Sequence, residues 1–308
     1  VKRVAAVDIG TNSVRLLVAE VDGTSPRDAK VVTLDRRMRI TRLGQGVDKA
    51  RALAPEAIER TVAVLREYRG ALDEHGVTAV RATATSAARD SSNRDDFFTA
   101  AHDALGVTPE LLSGDEEAAL SFLGATADLD APAPYLVVDI GGGSTEFVLG
   151  TDAPTGLVSL DMGCVRITEQ YLESDPPAPE ELSNAIAAVR DLVAEVPRVI
   201  PGAESASTLV GLAGTVTTVA AVELGIPEYD PEKIHHFVLT HEAAEDVFRT
   251  LATETASQRA HNPGLEAGRV DVIVGGTAVL VGIFRVLGFD RMLVSEADIL
   301  DGLVRSQV

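Results

Sequence analysis

Leu136-Val-Val-Asp-Ile-Gly-Gly-Gly-Ser-Thr-Glu-Phe-Val-Leu149 decides the fold. The segments Leu136 to Val138 and Phe147 to Leu149 are apolar and β-prone, and the Gly141-Gly142-Gly143 run between them carries no Cβ. Glycine reaches positive φ cheaply and lets a ligand approach the backbone, so the stretch reads as strand, tight turn, strand. Successive N–H groups in such a turn can form an anion-binding concavity. Ser144 and Thr145 add hydroxyls, and Asp139 and Glu146 flank the turn as hard oxygen donors suited to Mg²⁺. Taken alone, the same letters also describe an ordinary glycine-rich turn.

The motif occurs twice. Ala6-Val-Asp-Ile-Gly-Thr-Asn-Ser-Val-Arg-Leu-Leu-Val18 aligns without a gap on Val137 to Leu149, 131 residues later, with identities at Val7/Val138, Asp8/Asp139, Ile9/Ile140, Gly10/Gly141 and Ser13/Ser144. A period this long marks two copies of a domain rather than a solenoid. The expected division is residues 1–124 and 125–308, with Ala131-Pro-Ala-Pro134 near the boundary and the last helix free to pack back on the first copy. Two facing hairpins, each with backbone donors and a carboxylate, would clamp a chain of phosphates in a cleft.

Composition narrows the ligand. At 308 residues and 45% hydrophobic the chain can bury two cores. A net charge of −20 and the absence of Trp argue against nonspecific nucleic-acid or membrane binding. A polyanionic substrate must then be met by local arginines and metal ions. The single cysteine, Cys164, makes no internal disulfide, and the first residues meet a charge too early for a signal peptide; both point to the cytoplasm.

Further candidates follow in chain order. Arg36-Arg-Met-Arg-Ile-Thr-Arg42 holds four arginines in seven residues, either a charge-blunted edge strand or a draw for phosphate. Thr83-Ala-Thr-Ser-Ala-Ala-Arg-Asp90 is a hydroxyl-rich helix entry whose Arg89 either contacts a phosphate or lies on the surface. Ser113 and Glu116 form an S-x-x-E capping box, which gives Glu116 a structural duty and leaves Glu117 to face a ligand or to complement the helix dipole. Arg166, after Met162-Gly-Cys-Val, is a second phosphate candidate, and Cys164 reads as packing. Gly214-Thr215 opens a helix after a strand, a position that favours anions. His235, His236 and His241 lack metal-ligand spacing. Gly268 to Leu287 reads as an apolar helix with close backbone approach at Gly275-Gly276-Thr277, and Ser295 reads as the cap of a terminal helix.

An α/β chain with five strands done twice, and Asp-Ile-Gly on the first hairpin of each copy, resembles the duplicated ribonuclease-H-like fold of the actin, Hsp70 and sugar-kinase superfamily. Within it, the chain resembles the exopolyphosphatase / guanosine pentaphosphate phosphohydrolase family through Ala6 to Ser13, Arg42 to Val47, Ala84 to Asp90, Ser113 to Ala118, Val138 to Glu146, Met162 to Arg166 and Ser295 to Ile299. Some members carry a further helical domain of HD type; this sequence ends at Val308 without one, and the expectation is a short two-domain form.

The resemblance implies release of orthophosphate from polyphosphate or from guanosine pentaphosphate. It makes Glu117 the base and Arg89 a phosphate contact. It makes Gly10, Thr11, Asn12 and Ser13, with Gly141, Gly142, Gly143 and Ser144, the phosphate loops. It ties Asp139 and Glu146 to a divalent metal, Mg²⁺ or Mn²⁺. Asp8 is a further metal candidate, and Thr145, Arg166, Gly214 and Thr215 are further substrate contacts. A homodimer is compatible with this reading. A superfamily kinase or ATPase, and a non-catalytic polyphosphate or alarmone sensor, are the alternatives.

Overall fold

The computed structural model describes residues 1–308 and divides into two compact units: Val1–Asp128 with Asp298–Val308, and Leu129–Ala297. In unit 1 the strands are β1 (Lys2–Ile9), β2 (Ser13–Asp22), β3 (Lys30–Ile40), β4 (Ala79–Ala84) and β5 (Glu110–Leu111), in sheet order β3-β2-β1-β4-β5. Unit 2 contains β6 (Tyr135–Ile140), β7 (Thr145–Gly150), β8 (Pro154–Leu160), β9 (Thr208–Leu212), β10 (Val238–Thr240) and β11 (Arg291–Val294), in order β10-β11-β9-β6-β7-β8. Apart from β10, which adds an edge, the two sheets have one topology. Three strands form an antiparallel meander, and two more run parallel to the first. This is the duplicated ribonuclease-H-like α/β architecture.

The pleat explains how each central strand serves two cores. Along β1, Ala5, Val7 and Ile9 enter one apolar cluster, with the Pro55–Glu74 and Arg94–Leu105 helices. Val4 and Ala6 enter another, with Ile299, Leu300, Leu303 and Val304 of the terminal helix. Alternation with period two puts Asp8 on the second face, beside the start of that helix. Being covered on both sides, β1 reads as a continuous apolar run.

The terminal helix, Ile299–Arg305, belongs to unit 1. It crosses the Gly114–Thr126 helix at two glycines. A methyl on Gly124 would lie 1.8 Å from the Asp298 carbonyl oxygen, and one on Gly302 would lie 2.0 Å from that of Leu120. Three expectations shift here. The helix expected to close the first copy at residue 124 runs on to Thr126, so the boundary falls after Asp128. The terminal helix is capped by Asp298, whose side chain accepts from Leu300 N while Asp301 accepts from Asp298 N; Ser295 instead bonds the backbone of Ala297. The long apolar helix begins at Ile273, after a short turn at Ala267–Arg269. Its Gly275 does meet backbone closely, 2.8 Å from Cys164 O to an added methyl. No helix is long and apolar enough to cross a membrane.

Candidate active site

Parallel strands end together. In unit 1, β1, β4 and β5 deliver the Gly10–Ser13 turn, the Ser86–Arg89 helix and the Gly114–Thr126 helix to one end of the sheet. In unit 2, β6 and β9 deliver the Gly141–Ser144 turn and the Ala213–Leu224 helix in the same way. The carboxyl ends of parallel strands are the usual ligand end of such sheets.

The two turns are built alike. Gly10 N donates to Ser13 O, and Gly141 N to Ser144 O, each at 3.0 Å. The carbonyl side of each turn is taken by its own unit. Thr41 N and Arg42 N donate to Asn12 O, and Gly44 N to Thr11 O. In unit 2, Cys164 N donates to Gly141 O, and Val165 N and Arg166 N to Gly142 O. With these carbonyls occupied, the N–H groups of each turn remain to offer donor polarity, which suits an anion. Asn12 sharpens this in unit 1: it is 6% exposed, and neither its Oδ1 nor its Nδ2 has a hydrogen-bond partner. A dry, unsatisfied amide costs about 1–3 kcal/mol per group, so the turn is poised for a polar ligand.

Glu117 lies in the first turn of the Gly114–Thr126 helix. The capping box is present as expected: Ser113 Oγ accepts from Glu116 N at 3.2 Å, and Glu116 Oε2 accepts from Ser113 N at 2.9 Å. That reciprocal pair pulls the Glu116 carboxyl below its ordinary value. Glu117 is half-buried, its Oε2 3.8 Å from Arg89 Nη1, while Arg89 Nη1 also donates to Leu112 O at 2.9 Å. The Ser86–Arg89 helix carrying Arg89 touches the Gly10–Ser13 turn through Ser86 Oγ, 2.8 Å from Thr11 Oγ1. Arg89, Glu117 and the Gly10–Ser13 turn therefore form one connected assembly.

The residues flanking the two turns differ in charge. Asp139 and Glu146 are directly opposite in the β6–β7 register, 7% and 1% exposed. Ser159, next across on β8, donates its hydroxyl to Glu146 Oε1 at 2.7 Å. The strand register thus sets two buried carboxylates on neighbouring positions of one sheet face. A pair of hard oxygens is a fit donor set for Mg²⁺, which keeps several waters and takes one or two carboxylates plus substrate phosphate. No group of three or more His, Cys, Asp or Glu is arranged to hold a metal. Asp8 has a different partner. Arg15, opposite it on β2, donates to its Oδ2 through Nη2 at 2.7 Å and Nε at 3.1 Å. Burial pushes the Asp8 carboxyl up, and Arg15 opposes that rise.

Other candidates sit deeper than expected. Thr145 is fully buried, and its hydroxyl is committed to Met162 O. Thr215 is 2% exposed and packs against Gly276. Arg166 donates Nε to Gly143 O at 2.7 Å, so it braces the turn from behind. Gly214 lies under the guanidinium of Arg269, where an added methyl would be 2.1 Å from Nη1. Nothing in the local sequence pattern of Arg269 ties it to Gly214. The arginine segment on β3 pairs mostly with acids: Arg36 with Asp298 and Asp301, Arg37 with Asp35, Arg39 with Glu67. His235 and His236 stack on each other, and His241 lies 3.3 Å from Glu245 Oε1.

A family model described as the Ppx/GppA phosphatase family matches residues 17–308. The chain belongs to this family. It is 45% identical over 314 aligned positions to exopolyphosphatase 2 of Mycobacterium tuberculosis, covering 99% of this chain and 98% of that protein. Among solved structures, an exopolyphosphatase-like protein superposes with a TM-score of 0.92 at 39% identity, covering 98% of this chain and 97% of that one. A Ppx/GppA family member from Aquifex aeolicus gives a TM-score of 0.82 at 32% identity, covering 99% and 97%. Members of the Ppx/GppA phosphatase family are hydrolases, and this chain is an enzyme of that kind.

Proposed function

We propose that the chain is an exopolyphosphatase that releases terminal orthophosphate from inorganic polyphosphate by attack of water. The carrying observation is the buried Asp139–Glu146 pair beside the Gly141–Ser144 turn, repeated in outline at Asp8 and Gly10–Ser13. The full-length likeness to an exopolyphosphatase supports the choice of substrate.

Phosphoryl transfer asks a protein for positioning and charge neutralisation more than for covalent chemistry. In unit 1 the backbone donors of the Gly10–Ser13 turn, with Ser13 and the Asn12 amide, are built to hold phosphate oxygens; in unit 2 those of the Gly141–Ser144 turn, with Ser144, are built in the same way. Asp139 and Glu146 would hold Mg²⁺, or Mn²⁺ in its place, which would supply positive charge to the substrate. Arg89 neutralises further charge. Glu117 orients the water and accepts its proton as the oxygen–phosphorus bond forms and the bridging bond to the shortened chain breaks. General-base assistance of this sort contributes ~10²–10⁴-fold.

The net charge of −20 supports exclusion of nucleic acids and of anionic membranes as partners, and the lone buried Cys164 supports a cytoplasmic setting. The test is orthophosphate release, with Mg²⁺ and with Mn²⁺, from polyphosphates of defined length and from guanosine pentaphosphate, side by side. Release from polyphosphate is expected. Release from guanosine pentaphosphate alone would reassign the substrate, and tight polyphosphate binding with no release would make the chain a sensor.

A further inference from the structure

The two turns differ in one polar side chain that phosphate alone leaves half used. Gly10-Thr11-Asn12-Ser13 aligns on Gly141-Gly142-Gly143-Ser144, so the place of Asn12 is held in unit 2 by Gly143, which has no side chain. The Asn12 backbone is fixed: its carbonyl oxygen accepts from Thr41 N at 3.0 Å and from Arg42 N at 2.9 Å. The residue is 6% exposed, and both ends of its amide, Oδ1 and Nδ2, lack a hydrogen-bond partner. The nearest hydroxyl in the chain is already engaged, Thr11 Oγ1 with Ser86 Oγ at 2.8 Å.

The two ends of the amide need different ligands. Nδ2 donates and suits a phosphate oxygen, whereas Oδ1 only accepts. An ionised phosphate oxygen also only accepts, so it leaves Oδ1 unsatisfied and repels it. Oδ1 therefore calls for a donor beside the phosphate, and water is the donor that hydrolysis itself supplies. An attacking water must turn both its O–H bonds away from phosphorus to present a lone pair, and that takes two acceptors. Glu117 is one. It stands in the same unit and connects to the turn through Arg89 and the Ser86–Thr11 contact.

We propose that Asn12 Oδ1 is the second acceptor of the attacking water, holding the proton that Glu117 does not take. The inference rests on the exopolyphosphatase reading and on Glu117 as the base. As the bond from the water oxygen to phosphorus forms, one proton passes to Glu117. The other stays on the new phosphate hydroxyl, hydrogen-bonded to Asn12. The bridging bond breaks, and its electron pair goes to the leaving oxygen of the shortened chain. Nδ2 meanwhile binds an oxygen of the phosphate under attack, so one planar group aligns nucleophile and electrophile. Gly143 gives unit 2 no such group.

The test is a double-mutant cycle on orthophosphate release from polyphosphate of defined length, using Asn12→Ala, Glu117→Ala and the pair. Asn12→Ala alone is expected to lower kcat by about 10–100-fold, beyond any rise in KM from the lost Nδ2 donor. In the Glu117→Ala background the same substitution should cost less than about threefold, because groups that steer one water lose their effects together. Unchanged kcat with raised KM would make Asn12 a phosphate contact only. Fully additive losses would make its effect independent of the water. Either result overturns the inference. If Asn12→Ala does not fold, a crystal structure of the wild-type chain with methylene bisphosphonate decides. A water about 2.6–3.2 Å from both Asn12 Oδ1 and a Glu117 carboxylate oxygen is expected. No water there, or a metal ion or the unpartnered Thr41 hydroxyl at Oδ1, would overturn the inference. Wild type that releases no orthophosphate would overturn the exopolyphosphatase reading itself, whereas release with any of the adverse results above defeats only the role of Asn12.

Discussion

Gly163→Ala isolates the role of turn position, because the substitution adds one methyl and changes no charge. Gly163 precedes the Cys164–Tyr171 helix with an extended backbone, φ −148°, so alanine adopts its conformation without strain. The obstacle is contact. The methyl would lie 2.4 Å from both the carbon and the oxygen of the Gly142 carbonyl and 2.7 Å from Gly141 O. Ordinary contact begins at 3.4 Å, so the turn must withdraw by about 1 Å. The same two carbonyls accept from Cys164, Val165 and Arg166 at 2.9–3.2 Å, and all three bonds lengthen if the turn moves. Overpacking of this kind costs about 1–3 kcal/mol. In a unit of this size that lowers the melting temperature by roughly 2–4 °C per kcal/mol. A displacement of ~1 Å at a phosphate-holding turn is expected to lower turnover by ~10²-fold. The assay is orthophosphate release under saturating polyphosphate, with a melting curve on the same preparation. A lowered melting point with wild-type turnover would mean that the Gly141–Ser144 turn does not hold the reacting phosphate.

Three further perturbations probe other parts of the account. Glu117→Gln keeps the size of the side chain and removes its basicity, so kcat should fall ~10²–10⁴-fold with binding of polyphosphate retained; wild-type turnover would take Glu117 out of the mechanism. Gly124→Ala drives a methyl to 1.8 Å from the Asp298 carbonyl, and should loosen the terminal helix, lowering stability by about 1–3 kcal/mol and exposing residues 298–308 to limited proteolysis; an unaltered digestion pattern would contradict the close crossing. Glu116, whose carboxyl is lowered by its bonds from Ser113, contributes stability that is present above the unfolded value of 4.5 and lost as pH falls through the folded one. Glu116→Gln should therefore flatten the loss of melting temperature on acidification below about pH 4.5, and a slope identical to wild type would remove the cap from the acid response.

The sequence carried the parts that rest on local pattern. The two Asp-Ile-Gly hairpins, their ungapped spacing and the capping box at Ser113 are all expressed over a few adjacent residues, and each stands where expected. Glu117 could be singled out because Glu116 already had a local duty. What was hidden depends on residues far apart in the chain. Arg269 reaches Gly214 across more than fifty residues, and Asp298 reaches Arg15 across 283. Thr145 has the sequence position of a ligand hydroxyl, but it donates to Met162 O, seventeen residues on. Ser295 was a plausible cap, but Asp298 has an acid at its own third helical position, and that reciprocal pair starts the helix later. Arg15 and Glu146 hold equivalent places in the two copies, and only the strand register puts each across from its aspartate.

If water attacks the terminal phosphorus of the chain, its oxygen must leave in the released orthophosphate. Hydrolysis of a defined-length polyphosphate in H₂¹⁸O, with mass analysis of every product, tests it most directly. One ¹⁸O atom is expected in each released orthophosphate and none in the shortened chain. Label appearing in the residual chain, or phosphate passing to an acceptor without ¹⁸O, would contradict it.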